Sequence, residues 1–168
     1  MAPAIRGICA TALLFAGLAG TAEAQPRARQ QSPSYGYVFA EYDYYSGGGS
    51  LNGGGLGAGW RINRYLGLQG GGQYTRKSGV DITNAYLEAL MAFPLTQRLG
   101  VYASIGGAYA EASASAGPVT VSIGRSGYRA GVGLEYWLTQ SWGLRAGFHR
   151  QNAGGVADDI GVGIAYRF

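Results

Sequence analysis

Apolar and polar side chains alternate with a period of two along most of the chain after residue 34. The clearest example is the C-terminal segment DIGVGIAYRF, whose bulky apolar face consists of Ile160, Val162, Ile164, Tyr166 and Phe168. Its opposite face is small or charged and consists of Asp159, Gly161, Gly163, Ala165 and Arg167. This alternation predicts a β-strand with one apolar face. Strands of soluble β-sandwiches also alternate, so this segment alone does not decide the fold class.

The same pattern recurs and predicts eight strands: 35–45, 54–62, 66–74, 85–93, 99–109, 128–136, 142–151 and 159–168. Their lengths match the roughly 9–11 residues with which a tilted strand crosses a bilayer. Both faces of the first strand carry aromatic residues. There, Glu41 and Asp43 indicate the face that points away from lipid.

Predicted connections alternate in length. Three are tight and contain INRY, PLTQR and WLTQS; four are longer and contain SGGGSLNGG, TRKSGVD, EASASAGPVTVSIGR and NAGGVAD. Short turns at one end and longer loops at the other are typical of outer-membrane barrels, in which they face the periplasm and the exterior respectively.

Aromatic residues cluster near both ends of the predicted strands. Those near the tight turns are Trp60, Tyr65, Phe93, Tyr136, Trp137, Trp142 and the terminal Phe168; those at the opposite rim are Tyr42, Tyr44, Tyr74 and Tyr109. Two aromatic belts around an apolar band mark the interfaces of a membrane barrel. The sequence therefore predicts an all-β fold, an eight-stranded antiparallel up-and-down transmembrane β-barrel.

The N-terminal segment predicts a secretory signal peptide. A basic start is followed by the apolar run GICATALLFAGLAG and by the small-residue site AEA. We expect residues 1–24 to be cleaved, residues 25–34 to form a flexible periplasmic leader, and residues 35–168 to form the barrel. The one cysteine, Cys9, lies in the cleaved part, so the mature chain has no disulfide.

Composition removes two other classes of protein. The net charge of +4 comes mostly from scattered arginines, without the basic cluster expected of a nucleic-acid-binding protein. No apolar run after the signal peptide approaches the roughly 18 residues that a transmembrane helix requires. If the mature chain enters a membrane, it must therefore do so as a closed barrel.

Charged side chains concentrate on the predicted inner face, which consists of Glu41, Asp43, Arg61, Glu88, Arg129, Glu135, Arg145, His149 and Arg167. Side chains fill the interior of an eight-stranded barrel, and unpaired charge there is costly. We therefore predict a paired network rather than a charged channel, with inner glycines leaving room for long side chains. If the sixth and seventh strands pair about Gln140, Glu135 lies opposite Arg145 and Gly131 opposite His149.

The segment GYRAGVGLEYWLTQSWGLRAGFHR (127–150) and the C-terminal AYRF resemble OmpA-like transmembrane barrels of the porin family, across essentially the whole mature chain. The resemblance implies an integral protein of the bacterial outer membrane. It also implies that Tyr166 and Phe168 belong to a signal recognised by the barrel-assembly machinery. Full-length OmpA proteins continue into a peptidoglycan-binding domain. This sequence stops at its last strand, so we expect no cell-wall tethering.

Catalytic and metal sites find little support in the sequence. HRQN (149–152) resembles the His-x-Ser-Asn motif of PagL-type lipid A deacylases, but Gln151 replaces the nucleophilic serine. Asp158 and Asp159 are expected to be solvated at the rim, and the carboxylates are too dispersed for a metal-ligand set. GGGSLNGGG lacks the lysine and helix of a phosphate-binding loop. We expect no catalytic residue, cofactor or metal.

Three functions remain as hypotheses. The leading one is a non-enzymatic outer-membrane protein with a structural or surface-interaction role through short extracellular loops. The alternatives are a narrow channel for ions or small solutes and a lipid-A-modifying enzyme. We expect a monomer surrounded by outer-membrane lipid and lipopolysaccharide, met by the barrel-assembly machinery during biogenesis and by no nucleic acid. Deleting SASAGPVT (113–120) should leave the barrel assembled.

Overall fold

The computed structural model describes residues 34–46, 51–77, 80–116, 119–153, 155 and 157–168, without the side chains of residues 77, 115, 116, 119 and 120. The predicted signal peptide and nearly all of the predicted leader lie outside the described residues. Their boundaries stay predictions.

Eight strands form a closed barrel. They are β1 (Tyr35–Ser46), β2 (Leu51–Arg61), β3 (Leu66–Lys77), β4 (Val80–Pro94), β5 (Leu99–Ala116), β6 (Val119–Trp137), β7 (Trp142–Gln151) and β8 (Ala157–Arg167). Each strand pairs antiparallel with its neighbours in sequence, and β1 pairs antiparallel with β8. The predicted fold class is confirmed. The described residues include no helix long and apolar enough to cross a membrane.

Side chains point alternately outward and into the lumen. On the outer surface, Leu56, Leu87 and Ile105 are 72%, 67% and 65% exposed. Inside, Glu88 and Arg129 are fully buried. An apolar exterior around a polar, buried interior reverses the usual arrangement of a protein in water, and it suits a barrel whose outer surface is covered by lipid.

Inward-facing glycines make space for the large side chains of the lumen. A Cβ atom added at Gly71 would lie 2.7 Å from the hydroxyl oxygen of Tyr86. One added at Gly131 would collide with the imidazole of His149, and one at Gly133 with the ring of Tyr102. Each of these glycines lies opposite the large residue on the neighbouring strand, and its lack of a side chain leaves room for that residue in the filled interior.

The three tight turns, at residues 62–65, 95–98 and 138–141, share one hydrogen-bonding pattern. In each, the side-chain oxygen of the second residue accepts bonds from the backbone N–H groups two and three positions further on. The oxygens belong to Asn63, Thr96 and Thr139, and the distances are 2.8–3.2 Å. Asn and Thr commonly stabilise turns in this way. We call this end of the barrel the turn end and the opposite one the hairpin end.

At the hairpin end the prediction of longer loops was wrong for two of the four connections, TRKSGVD and EASASAGPVTVSIGR. Most of EASASAGPVTVSIGR is strand, because β5 continues to Ala116 and β6 begins at Val119. Most of TRKSGVD likewise belongs to β3 and β4. The chain lengthens here as paired strands rather than as loops. In these segments the outward face is polar or small, so it lacks the bulky apolar side chains that identified the other strands.

Three strands extend furthest and form what we call the hairpin sheet: residues 80–84, 110–116 and 119–127. In this sheet β4 pairs with β5, and β5 pairs with β6. The pairing of β6 with β7 begins only at Arg129. One backbone edge of β6 therefore has no neighbouring strand over residues 119–127, among the residues that the structure describes.

The two faces of the hairpin sheet have the opposite polarity from the barrel faces that they continue. Apart from Arg125, the face that continues the lumen side is apolar and carries Ile82, Ala112, Ala114, Val121 and Ile123; the face that continues the lipid side is polar and carries Asp81, Thr83, Glu111, Ser113 and Ser122. The register runs without interruption from barrel to sheet, so no bulge causes the exchange. The lipid-facing surface of β5 accordingly ends near Tyr109.

Candidate functional site in the barrel lumen

A buried arginine with two carboxylate partners occupies the middle of the lumen. Arg129 of β6 donates hydrogen bonds to Glu88 of β4 at 3.2 Å and to Asp159 of β8 at 3.3 Å, and all three side chains are fully buried. The Arg129 guanidinium also lies 4.2 Å from the ring centre of Tyr86. Because burying a charge is costly unless it is paired, this arrangement holds three strands together from inside.

Asp159 was expected to be solvated at the rim, and that prediction was wrong. Its carboxylate is 1% exposed, binds Arg129 and lies 3.1 Å from Nδ1 of His149. Asp158, one residue earlier, points outward and forms a pair with Arg150 at 2.6 Å. The alternation of β8 therefore separates two adjacent aspartates, one in the lumen and one on the surface.

Arg145 of β7 occupies an aromatic environment. It donates a hydrogen bond to Gln69 of β3 at 2.9 Å and lies 3.8 Å from the carboxylate of Glu41. Its guanidinium lies 4.3 Å from the ring centre of Phe39 and 5.0 Å from that of Tyr102. Cation–π contacts of this kind partly replace the solvation that a buried guanidinium loses.

Glu135 has a different partner from the one that the register suggests. β6 and β7 pair about Gln140 as expected, with Glu135 opposite Arg145. The carboxylate nevertheless accepts a 2.7 Å hydrogen bond from Arg61 of β2, on the opposite wall of the barrel. This ion pair spans the lumen, as does the bond between Gln69 and Arg145.

A layer of amides lies nearer the hairpin end. Asn84 donates hydrogen bonds to Gln73 at 3.0 Å and to Gln151 of β7 at 2.6 Å. Gln73 in turn donates to Asp43 at 3.1 Å. All four side chains are at least 94% buried. No feature of the sequence indicated that Asn84 would connect these side chains across the lumen.

At the turn end, Trp137 was assigned to the lipid interface, and that assignment was wrong. Its side chain is only 8% exposed and packs edge-on against Tyr35. The guanidinium of Arg167 lies 4.4 Å from its ring centre and donates a hydrogen bond to the Gln140 carbonyl. None of the described ion pairs includes Arg167. Trp137 shares the inward parity of Glu135, two residues earlier, and closes the lumen instead of facing lipid.

The other predicted belt residues lie on the outer surface. Tyr136 is partly buried, and the exposed ones are Trp60, Tyr65, Phe93 and Trp142 at the turn end and Tyr42, Tyr44, Tyr74 and Tyr109 further along the strands. Trp142 packs against Tyr166 with ring centres 5.0 Å apart. Phe168 is 72% exposed, and its N–H donates to the carbonyl of Gly36, which joins the last residue to the first strand.

The deacylase-like motif around His149 faces the lumen. The imidazole is 2% exposed and bonded to Asp159, and Gln151, at the position of the missing serine, is bonded to Asn84. Within the described part of the chain, no group of three or more His, Cys, Asp or Glu side chains is placed to hold a metal ion.

Residues 9–168 match the family model described as "Outer membrane protein beta-barrel domain". The chain belongs to this family. Curated relatives include Outer membrane protein A of Serratia marcescens, 27% identical over 202 residues, which cover 95% of this chain and 55% of the relative. Outer membrane protein A of Klebsiella pneumoniae is 26% identical over 140 residues, 69% of this chain and 41% of the relative. The chain thus spans about half the length of these relatives.

Solved structures show the same fold at low sequence identity. Neisserial surface protein A has a TM-score of 0.69 at 18% identity, covering 82% of this chain and 98% of its own. The N-terminal barrel domain of Pseudomonas aeruginosa OprF has 0.63 at 19%, covering 79% and 97%. Ail, the attachment invasion locus protein of Yersinia pestis, has 0.61 at 18%, covering 80% and 97%.

Family and fold together place this OmpA-like barrel in the bacterial outer membrane, as the sequence predicted. In such barrels the short turns face the periplasm and the opposite end faces the exterior. The turn end is accordingly the periplasmic end, and the hairpin sheet stands on the extracellular side.

Proposed function

We propose that this outer-membrane barrel is non-enzymatic and closed to ions, and that it acts through its extracellular surface. The observation that carries the proposal is the set of contacts across the lumen: Arg61 to Glu135, Gln69 to Arg145, and Arg129 to Glu88 and Asp159. They connect opposite or distant walls at several heights. Side chains that meet in the middle of a narrow barrel leave little cross-section for hydrated ions.

Single-channel recording in planar bilayers tests the closed lumen. We expect the reconstituted protein to be silent, with heat-modifiable gel mobility confirming that the barrel is folded. Glu135→Ala removes the partner of Arg61 and should produce at most brief openings. Discrete, ion-selective openings of the unmodified protein, altered by Glu135→Ala, would instead establish the narrow channel and refute the proposal.

Absence of catalysis is the second part of the proposal. His149 and Gln151 point into the lumen, whereas the lipid substrate of a deacylase would lie outside the barrel. Lipid A of unchanged mass after incubation with the reconstituted protein is the expected result. A loss of acyl chains that disappears in His149→Ala would show that the protein is an enzyme.

The hairpin sheet is the surface that we propose for interaction with another protein. Among the described residues, it combines a backbone edge on β6 that pairs with no strand with exposed apolar side chains, Val121 at 58% and Ile123 at 62%. An exposed edge of this kind accepts a further strand, with alternate side chains giving specificity. Ail, a structural neighbour, is named for attachment and invasion. Attachment to an extracellular protein is therefore the role that we favour.

Binding to a panel of purified extracellular-matrix proteins tests this role. We expect saturable binding to at least one of them, weakened when deletion of residues 113–120 shortens the sheet. Binding of unchanged affinity in the deletion variant, or no binding to any protein of the panel, would contradict it.

Further proposals concern the molecules that surround or meet the protein. We propose that lipid and lipopolysaccharide surround the barrel, that the protein is a monomer, and that it binds no nucleic acid. The exposed ring of Phe168, with Tyr166 on the same face, supports recognition by the barrel-assembly machinery. Phe168→Ala should lower the amount of folded protein in the outer membrane, and an unchanged amount would remove Phe168 from that role.

A further inference from the structure

Outward-facing arginines differ in their pairing between the two ends of the barrel. Near the hairpin end, Arg76 lies 3.3 Å from the carboxylate of Asp81, and Arg150 forms two hydrogen bonds to Asp158 at 2.6 and 2.8 Å. Each of these cations is neutralised by an acid on a neighbouring strand.

At the turn end, Arg64 and Arg98 are exposed, and neither takes part in any ion pair that the structure describes. The three tight turns contain no acidic residue, and Glu135, the acid at the end of β6, is bonded to Arg61 in the lumen. The Arg64 guanidinium lies 4.6 Å from the ring centre of Tyr65, which holds it beside the outer surface. Among the outward-facing charges that the structure describes, this end therefore presents two arginines without an acidic partner.

An apolar surface lies between these arginines. Ile62 and Leu95, which begin their turns, are 54% and 60% exposed and continue the outward parity of Trp60 and Phe93. The turns that carry Arg64 and Arg98 are separated around the barrel only by β3 and β4. On those strands Leu66 and Met91 are paired, and they are 45% and 48% exposed.

The Tyr65 carbonyl also accepts a 2.6 Å hydrogen bond from the N–H of Ala92. This bond fixes the first turn against β4. We call the surface formed by Arg64, Arg98, Ile62, Leu95, Leu66 and Met91 the patch. It is held in place by backbone contacts as well as by strand pairing.

We propose that this patch binds anionic phospholipid in the periplasmic leaflet. Acyl chains would lie on the surface that includes Leu66 and Met91, and Arg64 and Arg98 would bind the phosphate groups above them. Arginine suits phosphate because its planar fork donates two parallel hydrogen bonds. The third turn has Gln140 and Ser141 where the others carry an arginine, so it should show no such preference. The inference is independent of the proposed extracellular role.

Tryptophan quenching locates the site. Trp60 is beside the patch, Trp142 faces lipid on β7, and Trp137 is shielded in the lumen. Trp142→Phe leaves Trp60 as the lipid-facing reporter, and Trp60→Phe leaves Trp142. In phosphatidylcholine vesicles that contain a minor fraction of brominated phosphatidylglycerol, Trp60 should be quenched well beyond random mixing and Trp142 should not. Brominated phosphatidylcholine should quench both equally.

Removing the charges tests the assignment to Arg64 and Arg98. The double variant R64Q/R98Q should lose the excess quenching of Trp60, which corresponds to a lipid preference of roughly tenfold or more for two basic residues. R76Q/R150Q removes the same charge at the hairpin end and should keep the excess. Random quenching in the unmodified background, or equal loss in both double variants, would overturn the proposal.

Discussion

The transmembrane barrel and the hairpin sheet are built from the same strands, yet their faces have opposite polarity. On β5, Ile105 points outward and is 65% exposed, whereas Ser113, on the same face, is hydrogen-bonded to Ser122. On β6, Arg129 is fully buried, whereas Ile123, on the same face, is 62% exposed. Strand pairing continues unchanged between the two regions.

This difference shows that alternation alone does not tell which face of a strand is covered. In the barrel, lipid covers the apolar face and the polar face supplies its own partners within the lumen. Beyond the bilayer, water surrounds the sheet, and the apolar face has become the one on the lumen side. The polarity of each strand face therefore reflects what covers it. Substitutions at matched positions of the barrel and the hairpin sheet should have very different effects.

Arg129 and Arg125 should show the largest contrast, because they occupy the same face of β6 four residues apart. Arg129→Ala leaves Glu88 and Asp159 buried without their cation, and it should destabilise the barrel by about 3–5 kcal/mol. Arg125 is exposed, and Arg125→Ala should change stability by no more than about 0.5 kcal/mol. Urea unfolding of the reconstituted variants measures both values. Similar losses would mean that the lumen ion pairs contribute little.

Outward-facing positions should give the next largest contrast. Ile105→Arg places a charge on the lipid-covered face and should cost about 2–4 kcal/mol if Ile105 lies near the middle of the bilayer. Ser113→Arg places the same charge on the polar face of the hairpin sheet, opposite Asp81 in the register, and should cost almost nothing. Folding yields in vesicles compare the two. Equal tolerance of both substitutions would place the membrane boundary elsewhere than near Tyr109.

Strand parity was sufficient to predict much of the lumen from the sequence. It placed Glu88, Arg129 and Glu135 inside, and the structure finds all three buried. The assumption that β6 and β7 pair about Gln140 also agrees with the observed register. Parity has this power because successive side chains in a strand point to opposite faces, so one inward residue fixes the direction of its neighbours.

Strand parity and register could not predict the contacts across the lumen. Register relates only adjacent strands, so it suggested Arg145 for Glu135 although Arg61 reaches the carboxylate from the opposite wall. Trp137 lies beside a turn, as interfacial aromatic residues do, but its strand parity points it into the lumen. The hairpin sheet was missed because its strands carry apolar side chains on the other face.

A smaller contrast separates hydroxyl groups at the two ends. Thr139 accepts two backbone hydrogen bonds in its turn, and Thr139→Ala should cost about 1 kcal/mol. Ser122 bonds only to another exposed serine side chain among the described contacts, and Ser122→Ala should stay within about 0.5 kcal/mol. Thermal unfolding of the two variants in one lipid mixture decides the comparison. An equal cost would mean that the turn oxygens do not stabilise the barrel.

Deleting residues 113–120 should have the smallest effect on the barrel. The deletion joins Ala112 to Val121, two residues before its partner Ile123, so the shortened strands need only a two-residue connection. Every lumen ion pair lies below the cut, and β6 keeps its pairing with β7. Folding yield and heat-modifiable mobility should therefore match the unmodified protein, while the hairpin sheet loses residues 113–120. A barrel that fails to assemble would show that the sheet supports it, and that the two regions are one structural unit.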